Sequence, residues 1–218
     1  MNFSTFWLLS LSVAVFLVTW VGTGVLLPWL RRAGAIANPN ARSSHAQPTP
    51  TGGGVVPVAA TCAALGLAVW LPGFVLDGGA VAIAITVALG LSCVSWVDDL
   101  RGLSPVTRLI THSLAASAGV LALPGPVFQG LLPLWADLPL AAILWVWFVN
   151  VFNFMDGIDG IAGVETIGVG AGAALVAALA AAGPLPLTAG LIMAASGAGF
   201  LMWNWQPASR SIPLPCAT

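Results

Sequence analysis

The run from Phe3 to Leu27, FSTFWLLSLSVAVFLVTWVGTGVLL, contains no charged residue and indicates the fold class. A helix rises about 1.5 Å per residue, so a run of this length can cross the roughly 30 Å hydrocarbon core of a bilayer. It is too long for the apolar core of a secretory signal peptide, and no basic residue precedes it. We therefore interpret it as a retained membrane helix, which Pro28 is predicted to end.

The composition of the whole chain points the same way. Of its 218 residues, 59% are hydrophobic and only 6% are charged, and the mean hydropathy is +1.00. Soluble domains carry about 25% charged residues, so this chain is expected to be solvated mainly by lipid. The net charge of -1 gives no bulk attraction to nucleic acid. The three cysteines are scattered and predict neither a disulfide framework nor a cysteine metal site.

Seven apolar runs predict an all-α fold, a polytopic membrane bundle of about seven helices. They cover residues 3–27, 55–76, 80–97, 108–124, 138–153, 161–182 and 185–203, and the fifth is the shortest. Seven spans place every arginine on one side of the membrane: Arg31, Arg32, Arg42, Arg101, Arg108 and Arg210. Because basic residues concentrate in cytoplasmic loops, the N-terminus is predicted outside and the C-terminus in the cytoplasm.

The acidic residues divide between the two faces. Asp77 and Asp137 fall in the outer loops, and we interpret both as solubilising loop residues. The other five fall at the cytoplasmic membrane boundary: Asp98, Asp99, Asp156, Asp159 and Glu165. Charges at such positions are costly and tend to mark function. Because five acids in one small zone repel each other, the pattern predicts a cation-dependent site on the cytoplasmic face.

A first motif, WVDDLRGLSP at residues 96–105, ends the third span. The adjacent carboxylates of Asp98 and Asp99 cannot share one face of a helix. At a helix end they can diverge, one toward a metal or phosphate and the other toward a neighbouring arginine or amide. The alternative is an exposed acidic turn whose charge Arg101 balances.

A second motif, NVFNFMDGIDGIAG at residues 150–163, lies where the fifth span reaches the cytoplasm. Asn150, Asn153 and Asp156 repeat every three residues and Asp159 continues the series, which places them along one helical face. Oxygen ligands of this kind suit magnesium better than zinc or iron. The alternative is a structural role, in which these side chains satisfy backbone groups at a helix end.

A third motif, NPNARSSHAQPTPTGGG at residues 38–54, occupies the first cytoplasmic loop. A glycine-rich turn that enters a helix can present backbone N–H groups to phosphate, and Arg42 and His45 can add donors and positive charge. The alternative is a plain proline- and glycine-rich loop. Acids, a predicted magnesium and phosphate-binding groups on one face together indicate phosphoryl transfer to an apolar acceptor in the bilayer.

At these residues the chain resembles the polyprenyl-phosphate N-acetylhexosamine-1-phosphate transferases, glycosyltransferase family 4. Asp98-Asp99 resembles the paired-aspartate motif of that family, and residues 150–163 resemble its Asn-x-x-Asn-x-x-Asp-Gly-x-Asp-Gly motif. The loop at residues 40–54 is similar to the branch that initiates O-antigen-type polysaccharides. The resemblance extends from residue 1 to about residue 209.

The resemblance implies a reaction and a location. Undecaprenyl phosphate would attack the sugar-linked phosphate of a UDP-N-acetylhexosamine, giving a lipid diphosphate sugar and UMP for cell-envelope polysaccharide of the O-antigen or peptidoglycan type. The protein would be a multi-pass protein of the bacterial plasma membrane, with its active site on the cytoplasmic face. A homodimer is also a family expectation.

The resemblance also implies roles for individual residues. The catalytic residues would be Asp98, Asp99, Asp156 and Asp159. Asn153 and Asp156 would hold Mg²⁺, with Mn²⁺ as an alternative. The substrate-binding residues would be Arg42, His45, Asn150 and Asn204. His112 is instead expected to be a packed residue of the fourth span.

The last residues depart from the family pattern. Residues 203–209 resemble the stretch that precedes a Phe-Met-Gly-Asp-x-Gly-Ser motif in the family, but residues 210–218 read RSIPLPCAT. We therefore expect residues 1–209 to be an incomplete membrane domain, residues 210–218 a divergent tail, and turnover by this chain to be low. The alternatives are an inactive family remnant and a transporter whose acids relay protons, although a transporter predicts acids near the bilayer midplane.

Overall fold

The computed structural model describes residues 3–37, 49–72, 74, 76–123, 125–155 and 159–205. These residues form helices, together with one antiparallel pair of two-residue strands, β1 (Ile36–Ala37) and β2 (Thr49–Pro50). The helices are α1 (Phe3–Arg32), α2 (Val55–Ala68), α3 (Gly78–Arg101), α4 (Pro105–Leu121), α5 (Leu134–Met155), α6 (Ile161–Leu179) and α7 (Pro184–Asn204). Each predicted span corresponds to one helix, so the predicted all-α bundle is confirmed.

Five of these helices, α1, α3, α5, α6 and α7, are long and apolar enough to cross a membrane. In α3 and α5 only 6% of the most apolar 18-residue window is buried by other parts of the protein. Folded proteins in water rarely expose that much apolar surface, so we conclude that lipid covers it. The chain is thus a multi-pass membrane protein. The side of the membrane on which each loop lies stays a prediction.

Several helix boundaries differ from the predicted spans, and those of α1, α2 and α5 are the most informative. Helix α1 continues through Pro28 to Arg32, and the two arginines of its last turn interact favourably with the helix dipole. Helix α2 ends at Ala68, well before residue 76, because the chain tightens into turns before Pro72, which cannot extend a helix. Helix α5 begins at Leu134 and has 22 residues, so the short fifth span was an underestimate.

The chain divides into two compact units, one of residues 77–155 and the other of residues 1–76 and 156–218. In the second unit α6 and α7 pack with their backbones in contact. A Cβ atom on Gly170 would lie 2.6 Å from the backbone nitrogen of Ala194, and one on Gly190 would lie 2.6 Å from the carbonyl oxygen of Gly170. Small residues allow this close approach, which is how membrane helices gain van der Waals contact without a hydrophobic driving force.

The tight contact predicts a position-specific effect along α6. We expect Gly170→Ala to destabilise the protein by about 1–3 kcal/mol, because the added methyl group meets backbone atoms that cannot move aside. Gly172→Ala is the matched control, since nothing lies within 4 Å of its added Cβ and alanine favours a helix. Unfolding in mixed detergent micelles would measure both variants. Equal stabilities would contradict the close α6–α7 packing.

The two acids that were predicted in outer loops, Asp77 and Asp137, have structural roles. Asp77 is the N-cap of α3, where its Oδ1 accepts hydrogen bonds from the backbone N–H groups of Gly79 and Ala80 at 2.8 and 3.3 Å. Asp137, in the first turn of α5, is fully buried and accepts from the N–H groups of Val127 and Phe128 at 2.8 and 3.0 Å. The interpretation of Asp137 as a solubilising residue was therefore wrong, because its carboxylate fastens the connection between α4 and α5.

Removal of the Asp137 carboxylate should loosen that connection. We expect Asp137→Ala to lower the free energy of unfolding by about 2 kcal/mol, since two backbone N–H groups lose their acceptor. Asp137→Asn keeps one acceptor oxygen and should lose less. Denaturant midpoints in detergent would rank the variants, and an Asp137→Ala midpoint equal to that of the unmodified protein would refute this role.

Candidate active site

The first motif forms a tight turn between α3 and α4. Gly102 adopts a left-handed conformation with φ of 66°, and its N–H donates to the carbonyl oxygen of Asp98 at 2.8 Å. This is a common way to end a helix, and glycine adopts it without steric penalty. Ser104 then caps α4 by accepting from the N–H of Thr107 at 3.1 Å, and Pro105 occupies the first helical position. The local sequence thus specifies the turn that holds the two aspartates.

Asp98 is held from two sides within this turn. Its Oδ1 accepts from the N–H of Leu103 at 2.7 Å, and its Oδ2 lies 2.9 Å from Nε of Arg108 on α4. The Nε–H is not aligned for a hydrogen bond, so the second contact is an ion pair. The side chain of Asp98 is only 16% exposed. The predicted orientation of one aspartate toward an arginine and an amide is confirmed for Asp98, with Arg108 as the arginine.

Asp99 is the more accessible of the paired aspartates. Its side chain is exposed at the end of α3, whereas that of Asp98 is largely covered. The two carboxylates therefore differ in exposure: that of Asp98 is held by Leu103 and Arg108, and that of Asp99 is accessible to solvent. The catalytic roles of both remain predictions.

Residues of the second motif lie near the end of α5. The Nδ2 of Asn150 donates to the carbonyl oxygen of Val146 at 2.8 Å, and its Oδ1 lies 3.3 Å from Nδ1 of His112 on α4. His112 is buried, which confirms its predicted packing. Asn153, one turn further along the helix, is exposed. The predicted substrate role of Asn150 and metal role of Asn153 stay predictions.

The second unit contains the rest of the motif that is described. Gly160, with φ of +84°, donates its N–H to Oδ1 of Asn204 at 3.0 Å, and a Cβ at Gly160 would lie 3.2 Å from the ring of Trp205. The end of α7 thus fixes the turn that carries Asp159 into α6. The predicted substrate-binding Asn204 is therefore in direct contact with the backbone next to a predicted catalytic residue.

Three predicted site residues, Arg42, His45 and Asp156, lie outside the described residues. The ends of the third motif's loop are described: Ile36 pairs with Pro50 in the short β1–β2 ladder. Of the remaining site residues, the 77–155 unit holds Asp98, Asp99, Asn150 and Asn153, and the other unit holds Asp159 and Asn204.

The donor chemistry fits the predicted magnesium. Among the described residues there is no group of three or more His, Cys, Asp or Glu side chains that could hold a metal. Magnesium needs less than that, because it commonly takes one or two carboxylates and completes its shell with water and substrate phosphates. The predicted ligands Asn153 and Asp156 offer only oxygen donors, which is the set that magnesium prefers over zinc.

Arg108 and His112 were not predicted as site residues, although both contact the motifs. They are four residues apart on α4 and so lie on one face of that helix. Their spacing could have identified them, because two polar side chains one turn apart on a membrane helix usually contact other polar groups.

Comparisons with known proteins agree with these observations. The family described as Glycosyl transferase family 4 matches residues 81–210. The decaprenyl-phosphate N-acetylglucosaminephosphotransferases of Mycolicibacterium smegmatis and Mycobacterium leprae are 33% and 30% identical, over 79% and 92% of this chain and 43% and 55% of their own lengths. A phospho-N-acetylmuramoyl-pentapeptide-transferase of Synechococcus is 31% identical over 92% of this chain and 59% of its own length.

The chain spans about half the length of these curated relatives. The family match covers more than half of the chain and includes both aspartate motifs. This chain therefore belongs to glycosyltransferase family 4, the polyprenyl-phosphate hexosamine-1-phosphate transferases.

Proposed function

We propose that the protein transfers N-acetylhexosamine-1-phosphate from a UDP-sugar to a polyprenyl phosphate and releases UMP. The observation that carries the proposal is the state of the paired aspartates: at the end of an apolar helix, Asp98 is fixed by Leu103 N–H and Arg108 while Asp99 is exposed. An anionic lipid headgroup at the membrane boundary needs a positioned acid and a nearby cation, and this turn provides both. The names of the relatives support the same reaction class.

In the proposed reaction an oxygen of the lipid phosphate attacks the sugar-linked phosphorus of the UDP-sugar. A new P–O bond forms as the bond to UMP breaks, so a lipid diphosphate sugar and UMP result. Both reactants are anionic, and magnesium held by Asn153 and Asp156 would neutralise charge on the diphosphate. Asp99 would deprotonate or position the lipid phosphate, and Asp159 would position the nucleotide sugar.

Positive side chains would complete the binding of the anionic groups. We assign Arg42 and His45 to phosphate groups, as the motif implies, and Arg108 to charge balance at Asp98. Arg108 leaves the paired aspartates with a smaller net negative charge, which lowers their repulsion of an incoming phosphate. We place this chemistry at the cytoplasmic face of the bacterial plasma membrane, following the distribution of arginines.

The names of the relatives suggest which sugar donor and which lipid acceptor to propose. The mycobacterial proteins are named for decaprenyl phosphate and N-acetylglucosamine. The family resemblance implied undecaprenyl phosphate, and the loop at residues 40–54 resembled the O-antigen-type branch. We propose UDP-N-acetylglucosamine as the donor and either of the two polyprenyl phosphates as acceptor. The chain lengths of the two lipids differ far from the phosphate, so both should be accepted.

A reconstituted assay tests the proposal. The purified protein in lipid nanodiscs, with UDP-N-acetylglucosamine and Mg²⁺, should release UMP only when decaprenyl or undecaprenyl phosphate is present. Chelation of Mg²⁺ should stop the release. Solute uptake into proteoliposomes without UMP release would instead support the transporter, and UMP release that does not depend on polyprenyl phosphate would overturn the proposal.

A further inference from the structure

The hydrogen bonds of Asn150 determine which nitrogen of His112 carries a proton. The carbonyl oxygen of Val146 can only accept, so the Asn150 atom 2.8 Å from it must be the donor Nδ2. The other amide atom, Oδ1, then faces His112 Nδ1 at 3.3 Å, and it can only accept. His112 must therefore donate through Nδ1–H. A backbone carbonyl thus sets the tautomer of a buried imidazole through one amide.

One face of α4 joins the two predicted motifs within the unit of residues 77–155. Arg108 contacts Asp98 at the end of α3, and His112, one turn later, contacts Asn150 of α5. Asn153 follows Asn150 by one helical turn. Because hydrogen bonds are directional, the partly buried His112–Asn150 bond favours one rotation and register of α5 against α4. Loss of that bond would allow Asn153 to move relative to the Asp98–Arg108 pair.

We propose that His112 is a positioning residue for sugar-phosphate transfer, held by Asn150 as the Nδ1–H tautomer so that α4 and α5 keep one register. The proposal rests on the proposed function and deepens it. In this proposal the role of Asn150 is to accept the hydrogen bond of His112, and Asn150 affects the reaction by holding α5 in register. The group displaced by a loss of this register is Asn153, so the chemical step should suffer more than nucleotide-sugar binding.

Kinetics of His112 variants separate positioning from simple packing. His112→Leu removes the donor, and we expect kcat to fall about 10- to 100-fold, with less than about a threefold change in KM for the UDP-sugar. His112→Gln retains an N–H donor that can reach Asn150 Oδ1 and should recover most of kcat. An unchanged kcat in His112→Leu would overturn the proposal, and so would a His112→Gln variant as slow as His112→Leu.

A spectroscopic test needs no turnover. The chain has two histidines, so His45→Ala leaves His112 as the sole histidine for ¹⁵N labelling. For the neutral ring, in detergent or nanodiscs, we expect a protonated Nδ1 and an unprotonated Nε2. Asn150→Leu removes the oxygen that accepts from Nδ1–H, so the population should shift toward the Nε2–H tautomer. A protonated Nε2 before that substitution, or no shift after it, would overturn the proposal.

The two tests distinguish failure of this inference from failure of the proposed function. The expected tautomer without any polyprenyl-dependent UMP release refutes the proposed function and the positioning role with it. Normal UMP release with the opposite tautomer refutes only the role of His112.

Discussion

Asparagine at both Asp99 and Asp156 should lower kcat for sugar-phosphate transfer at least about 10³-fold, near the middle of the range for loss of a catalytic acid or base. Asp99 is the exposed member of the aspartate pair, and Asp156 is the predicted magnesium ligand. Asparagine preserves size but removes two negative charges and two proton acceptors. UMP release and lipid-linked sugar should fall together.

Asp77→Asn is the matched control for that double variant. It also removes an aspartate charge at a helix end, but asparagine caps a helix about as well as aspartate, so α3 should begin unchanged. We expect nearly full activity from it. Transfer that persists in the double variant at the rate of this control would show that the site has been assigned to the wrong residues.

Arg108→Leu should reduce kcat/KM about 100-fold. Asp98 would keep its bond from Leu103 N–H but lose its cation, and a carboxylate that is only 16% exposed would reorient toward water. Its neighbour Asp99 would shift with it. Initial rates at several concentrations of polyprenyl phosphate would measure the loss, which should appear mainly in the use of the lipid.

A double-mutant cycle identifies the pair as the cause. If Arg108 acts through Asp98, then Arg108→Leu should have a smaller effect in an Asp98→Asn background than alone. Arg108→Lys should restore part of the activity, because it keeps the charge but not the planar geometry of the guanidinium. Additive effects of the two substitutions would indicate that Arg108 and Asp98 act independently.

The number of helices and the location of the motifs followed from the sequence. Uncharged runs such as Phe3–Leu27 leave few alternatives to a membrane helix. The caps at Gly102 and Ser104 place the end of α3 at Arg101 and the start of α4 at Pro105, where residues 97 and 108 had been predicted. Helix ends were less predictable. Pro28 was expected to end α1, but a proline inside a helix removes one hydrogen bond and does not by itself prevent the helix from continuing.

The partners of the site residues were the least predictable part. The identity of the arginine beside Asp98 depends on how α4 is rotated against α3, which the sequence spacing alone does not specify. The same holds for His112 and Asn150, whose contact depends on the packing of α4 against α5. Asp137 was misinterpreted for a related reason. The N–H groups that donate to its two carboxylate oxygens belong to the connection before α5 and not to α5 itself.

In the proposed reaction the β-phosphate of the UDP-sugar is transferred together with the sugar to the polyprenyl phosphate. UDP-N-acetylglucosamine labelled with ³²P at the β-phosphate, incubated with the reconstituted protein, Mg²⁺ and polyprenyl phosphate, tests it directly. We expect ³²P in the organic-extractable lipid diphosphate sugar, at however low a rate, with UMP as the water-soluble product. Release of ³²P-labelled UDP with transfer of the sugar alone, or no labelled lipid above a protein-free control, would contradict it.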